Sequence, residues 1–182
     1  MAPHSADAMD LLFDAARLVQ LCAEAGWPAA VRDAGLAVVE LDAGHTRYHA
    51  RLEAAGPGGL RATVDLCDVS GCSPISRSAI DTLLLATSDA VQQVGRAGLM
   101  LNGAEWAGLT AMCVDAIAPE ALDRALSALT VACQMAGREA QALQHEVIAL
   151  EYLAWRAPAP PDEPAEVDDN YTMEENTCLQ QL

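Results

Sequence analysis

The chain has 182 residues, with 26 acids against 10 bases and a formal net charge of −16. Such a surplus argues against the phosphate backbone of a nucleic acid and against an anionic membrane surface as partners. It suits high solubility, or a basic or polar peptide partner.

Hydrophobic residues make up 52% of the chain but aromatics only 4%, so the core must be built from many small contacts rather than a few large rings. The length suffices for one domain with its own core. No apolar run approaches the ~20 residues needed to cross a bilayer. Residues 1–10 have neither a basic nor an apolar secretory region, so a cytoplasmic location is expected. The six cysteines (22, 67, 72, 113, 133 and 178) form no C-x-x-C pair, and most fall in apolar patterns. In a reducing compartment they read as small core residues rather than as disulfides.

In chain order, Met9, Leu12, Phe13, Ala16, Val19 and Ala23 predict a helix over 8–26, which Gly26 and Pro28 stop. Three strands are expected at 36–41, 46–53 and 60–67. The first two are joined by Asp42-Ala43-Gly44, the last two by Gly56-Pro57-Gly58-Gly59. Tyr48, Ala50 and Leu52 alternate with Arg47, His49, Arg51 and Glu53, as in an antiparallel meander with one wet face. After a loop at 70–74, a second helix is expected over 76–94. Ser76 or Ser78 would cap it, and Ile80, Leu83, Leu84, Thr87 and Val91 form its apolar stripe. Strands at 96–101 and 105–114, joined by Asn102-Gly103, read as a hairpin.

A long last helix starts near Pro119 and runs to about Trp155. Leu122, Leu126, Leu129, Cys133, Ala136, Ala140, Leu143, Val147 and Leu150 follow steps of four and three, a heptad-like seam that Gly137 weakens in its middle. Beyond Arg156, four prolines and seven acids with no base predict a disordered tail at 157–182. The tail carries −7 and leaves −9 on a folded domain at 1–156. The fold class expected is α+β: helix, three-stranded antiparallel meander, helix, β-hairpin, long C-terminal helix.

Several constellations invite a chemical reading. Cys67, Cys72, His45 and His49 can be drawn as a zinc site. The two histidines, however, are about 13 Å apart along a strand, and structural zinc sites place their ligand pairs closer. Cys72, just before the second helix, is the best-placed thiol nucleophile, but no histidine partner is recognisable. The glycine-rich turn at 56–59 joins two strands and does not open a helix, so it is not a phosphate loop. No catalytic residue, metal or cofactor is expected. Arg47, Arg51 and Arg61 form a basic stripe on an acidic protein. It serves either cross-strand pairing with Glu40, Glu53 or Asp65, or a partner-facing surface. Trp106 is either a core anchor or an exposed binding residue.

Four stretches carry a family likeness. They are Ile80-Asp81-Thr82-Leu83-Leu84-Leu85, Ala97-Gly98-Leu99-Met100-Leu101, Trp106-Ala107-Gly108-Leu109 and Ala116-Ile117-Ala118-Pro119-Glu120-Ala121-Leu122. With the element order, they make residues 8–136 resemble the type III secretion chaperones of the Tir chaperone kind and the related YbjN-like domains. The resemblance implies a cytoplasmic homodimer without catalysis. It would bind the N-proximal segment of secreted effector proteins and present it to the secretion apparatus. The dimer role of the second helix falls on Leu83, Leu84, Thr87 and Val91. Arg47, Arg51, Arg61 and Trp106 are the candidate partner-binding residues. The longer last helix and the acidic tail depart from the family's pattern and keep a YbjN-like regulatory or assembly role as the alternative.

Overall fold

The computed structural model describes residues 14–56, 58–101, 104–113 and 118–157. The start of the first predicted helix, the Asn102-Gly103 turn, Val114, the 114–117 junction, Cys178 and the tail beyond Ala157 lie outside these residues. The order is α1 (Ala15–Glu24), β1 (Ala29–Asp33), β2 (Leu36–Asp42), β3 (Arg47–Ala54), β4 (Leu60–Asp68), α2 (Pro74–Ala90), β5 (Val94–Leu101), β6 (Ala104–Cys113), α3 (Pro119–Ala142) and α4 (Glu146–Arg156). The chain is α+β, with all six strands in one antiparallel sheet of order β1-β2-β3-β4-β6-β5.

The meander follows from alternation. Ala37, Val39 and Leu41 on β2, Tyr48, Ala50 and Leu52 on β3, and Leu60, Ala62 and Val64 on β4 are all buried on one face. On that face they share a single cluster with Leu18 and Leu21 of α1, Ile80 and Leu84 of α2, and Leu122, Leu126 and Leu129 of α3. Each fully buried leucine of this kind contributes roughly 1.5–3 kcal/mol of hydrophobic stabilisation. The other sheet face carries Arg47, His49, Arg51, Glu53 and Arg61. A shift in the β4–β6 register between Asp65 and Cys67 inserts one extra residue in β4. Leu66 and Cys67 are therefore both buried, and the Cys67 thiol reaches the Ala140 carbonyl oxygen of α3 at 3.7 Å.

Strand β1 has no counterpart among the predicted elements. Its sequence, Ala-Ala-Val-Arg-Asp, does not alternate, and four of its five residues are exposed. It is held by main-chain pairing to β2 and by the turn before it, where the Trp27 indole donates to Asp123 of α3 at 2.9 Å.

Helix α2 begins two residues earlier than expected. Its cap is Ser73, whose hydroxyl accepts from the Ser76 amide at 3.2 Å, with Pro74 in the first turn. Ser76 is instead buried and donates its hydroxyl to the Gln144 carbonyl at 3.2 Å.

The predicted single last helix is two helices. Gly137 does not interrupt α3. The break falls at residues 143–145, where His145 is extended (φ −83°, ψ 119°). The turn is pinned from outside, because the Gln144 side-chain amide donates to the Asp68 main-chain carbonyl at 2.7 Å while the Gln144 main-chain carbonyl accepts from the Ser76 hydroxyl. The seam breaks with it. Leu122 to Leu143 is buried, while Val147 and Leu150 are exposed and Ala149 and Tyr152 take the buried side of α4, which packs chiefly against α2.

Gly137 has a packing role instead. A Cβ there would lie 2.0 Å from the Tyr48 hydroxyl oxygen, so the missing side chain lets β3's only tyrosine lie against α3. Ala132, Cys133, Ala136 and Ala140 continue this track of small buried residues.

Candidate functional site

The arginine stripe is paired. Arg47 meets Glu40 at 3.2 Å, Arg51 meets Asp65 at 2.9 Å and Arg61 meets Glu53 at 2.8 Å, each bridging neighbouring strands. Arg61 and Glu53 are direct cross-strand partners, and the Arg51–Asp65 pair is the most sheltered of the three. Beside them the Thr63 and Thr110 hydroxyls are 3.3 Å apart. The cross-strand reading accounts for all three arginines, which leaves the wet face a neutralised ladder rather than a free basic surface.

Leu83, Leu84 and Thr87 are buried in the chain's own core, and Val91 is half-buried at the end of α2. As residues already covered by the chain itself, the first three offer nothing to a dimer partner. Leu85 is the large apolar side chain that α2 exposes.

His45 sits in the β2–β3 turn, His49 is exposed on β3, Cys67 is buried under α3, and Cys72 is half-buried before α2. Among the described residues, no group of three or more His, Cys, Asp or Glu side chains is placed to hold a metal ion. The Cys72 sulfur lies 4.0 Å from the Asp68 carbonyl oxygen, an acceptor rather than a base able to activate it. Burial pushes the Cys22 thiol up to about 11 and those of Cys67 and Cys133 up to about 12, with nearby Cys72 and Asp68 adding to the shift at Cys67. These three are inert core thiols at neutral pH.

What the structure does bring together is a cleft of about 240 Å³ between α2 and the β5–β6 hairpin. Val69, Ile80, Leu84, Ala97 and Ala107 give it apolar walls, and Trp106 also lines it. Two ion pairs flank it, Arg77 with Glu105 and Arg96 with Asp81, the second at 2.7 Å. Arg77 also donates to the Cys72 and Ser70 carbonyls, at 3.4 and 3.3 Å, and so ties the loop before α2 to β6. From β5 the cleft is lined by Arg96 and the small Ala97. Strand β5 ends the sheet, and among the described residues no strand pairs with its outer edge.

Of the predicted site residues, the half-buried Trp106 and the buried Leu84 line this cleft. Arg77, Asp81, Arg96 and Glu105 were not singled out from the sequence. The signal available was a run of small residues in an edge strand following a helix rich in leucine. The lining holds neither histidine nor cysteine. Chemically the arrangement can accept an apolar side chain between two charge pairs, next to a row of main-chain donors and acceptors.

Among the described residues no helix is long and apolar enough to cross a membrane. No family model matches the chain, and no curated protein and no solved structure shows significant similarity to it.

Proposed function

We propose that the chain is a cytoplasmic binding protein of the secretion-chaperone kind. It holds the N-proximal segment of type III secreted effectors in an extended form and presents it to the secretion apparatus. The observation that carries this reading is the open edge of β5 beside the α2 cleft. An extended peptide adds to such an edge through main-chain hydrogen bonds and inserts one apolar side chain into the cleft. The observed order, helix, antiparallel meander, helix, hairpin and two C-terminal helices, agrees only loosely with the order that the resemblance implies. No catalytic residue, metal or cofactor enters it.

A homodimer belongs to the proposal, because ordering a disordered client segment is offset only by a large wrapped surface. A dimer through α2 would use its outward side chains, Leu85 among them, rather than the buried Leu83, Leu84 and Thr87. The extra strand β1 and the separate helix α4 fall outside the order that the secretion chaperones imply. They keep, as a second reading, a YbjN-like non-catalytic regulatory or assembly domain.

The test is co-purification of the full chain with its partners from its own bacterium, followed by light scattering. The secretion reading predicts a dimer that retains a secreted protein and releases it when that protein's N-terminal segment is deleted. Retention of cytoplasmic partners alone would favour the YbjN-like reading.

A further inference from the structure

Helix α4 is unusually bare for an element so rich in apolar residues. Ala149 and Tyr152 are buried, but Val147 is 69% exposed, Ile148 42%, Leu150 49% and Trp155 78%. At 3.6 residues per turn Val147 and Leu150, with the exposed Ala154, lie on the side of α4 turned away from its buried residues, while Ile148 and Trp155 lie on the flank beyond Glu151, towards Tyr152. The exposed stripe of Val147, Leu150 and Ala154, bordered by Glu146 on one side and Glu151 on the other, has the form of an interaction surface.

Charge decides what would cover it. Glu146 and Glu151 are exposed on the same helix. The only base on α4, Arg156, is stacked over the Tyr152 and Trp155 rings at 5.4 and 5.3 Å. The chain leaving α4 carries seven acids and no base, and the whole chain carries −16. A second copy docked through its own α4 would bring Glu146, Glu151 and the same acidic chain end to this face. A basic partner meets complementary charge along the length of the helix.

We propose that the exposed face of α4 docks a basic amphipathic helix of a partner protein. The apolar stripe of that helix lies along Val147, Leu150 and Ala154, its Arg or Lys residues meet Glu146 and Glu151 on either side, and Trp155 lies next to Glu151 at the border of the contact. The proposal is independent of the β5 cleft.

The test titrates the full chain with two synthetic helical peptides of about 18 residues, long enough to hold helical structure. Both carry the same leucine stripe; one has an arginine-rich polar face and the other a glutamate-rich one. The basic peptide is expected to bind, to change the Trp155 emission (assigned with Trp155→Phe), and to weaken about tenfold or more with Val147→Ser/Leu150→Ser. Both substituted positions are exposed, so the variant keeps its fold, which circular dichroism checks. Unchanged affinity in that variant would overturn the proposal, because binding would then be charge attraction alone. Equal binding of the acidic peptide would overturn it too. So would a free chain that is dimeric by light scattering and is made monomeric by the same two substitutions, since a second copy would then own the face.

Discussion

Two glycines show how closely the elements approach. At Gly137 an added Cβ would stand 2.0 Å from the Tyr48 hydroxyl oxygen and 2.7 Å from its ring carbon Cζ; at Gly108 it would stand 2.3 Å from the Val64 carbonyl oxygen. Gly137→Ala is expected to destabilise by about 1–3 kcal/mol in urea unfolding, the usual cost of overpacking. The Tyr48 hydroxyl is buried without a hydrogen-bond partner, so Tyr48→Phe alone should cost little. In the double variant it should recover part of the Gly137→Ala loss, because the nearest clashing atom is gone. Gly108→Ala has no such rescue, since the obstacle is main chain.

The buried thiols set a limit in alkali. Cys22, Cys67 and Cys133 are raised from 9.0 to about 11, 12 and 12. Above pH 9 the unfolded chain gives up thiol protons that the folded chain retains. Stability is therefore full below pH 9 and is lost as pH rises toward 11–12, by up to about 1.4 kcal/mol per pH unit for each thiol. Urea midpoints at a series of pH values check this, and replacing Cys133 by Ala should flatten the slope.

At the scale of elements, α3 and α4 differ in what their leucines do. Leu126→Ala, in the fully buried part of the seam, should cost about 2–5 kcal/mol. Leu150→Ala, on the exposed side of α4, should change stability by less than about 0.5 kcal/mol in the same unfolding experiment. A continuous heptad seam would have made the two costs alike. Ser73→Ala should cost about 1 kcal/mol through the lost cap of α2, while Ser78→Ala should not show that loss.

These same elements show what the sequence allowed to be read. The meander was legible because Tyr48, Ala50 and Leu52 alternate with charged residues, a period that only a half-buried strand satisfies. The arginine stripe was legible as a choice between pairing and a partner surface, and the register places an acid beside each of the three arginines. Strand β1 was hidden because an exposed edge strand needs no alternation. The α3–α4 break was hidden because it rests on Gln144 bonding to Asp68 and Ser76, residues 76 and 68 positions away, with no Gly or Pro at the break itself. The cleft was hidden for a related reason, since the Arg77–Glu105 and Arg96–Asp81 pairs join elements whose spatial order sequence spacing does not state.

For the whole molecule, one face of the sheet is covered by α1, α2 and α3 apart from the cleft at α2, and the other is open to solvent and carries ion pairs that contribute only about 0–1 kcal/mol each. Two edges remain. Strand β1 is short, with a register shift between Val31 and Asp33, which blunts it as a template. Strand β5 has eight residues and lies beside an apolar cleft. Under the proposed function the client segment therefore adds at β5, where the acidic character of the chain would select basic or polar segments. The most direct measurement is amide hydrogen exchange of the full chain, alone and in complex with a client co-purified from its own cells. The account predicts that slowing on binding is concentrated in residues 94–101 and in the part of α2 that lines the cleft, while β1 is unchanged. A bound client that leaves the exchange of 94–101 as it is in the free chain would contradict it.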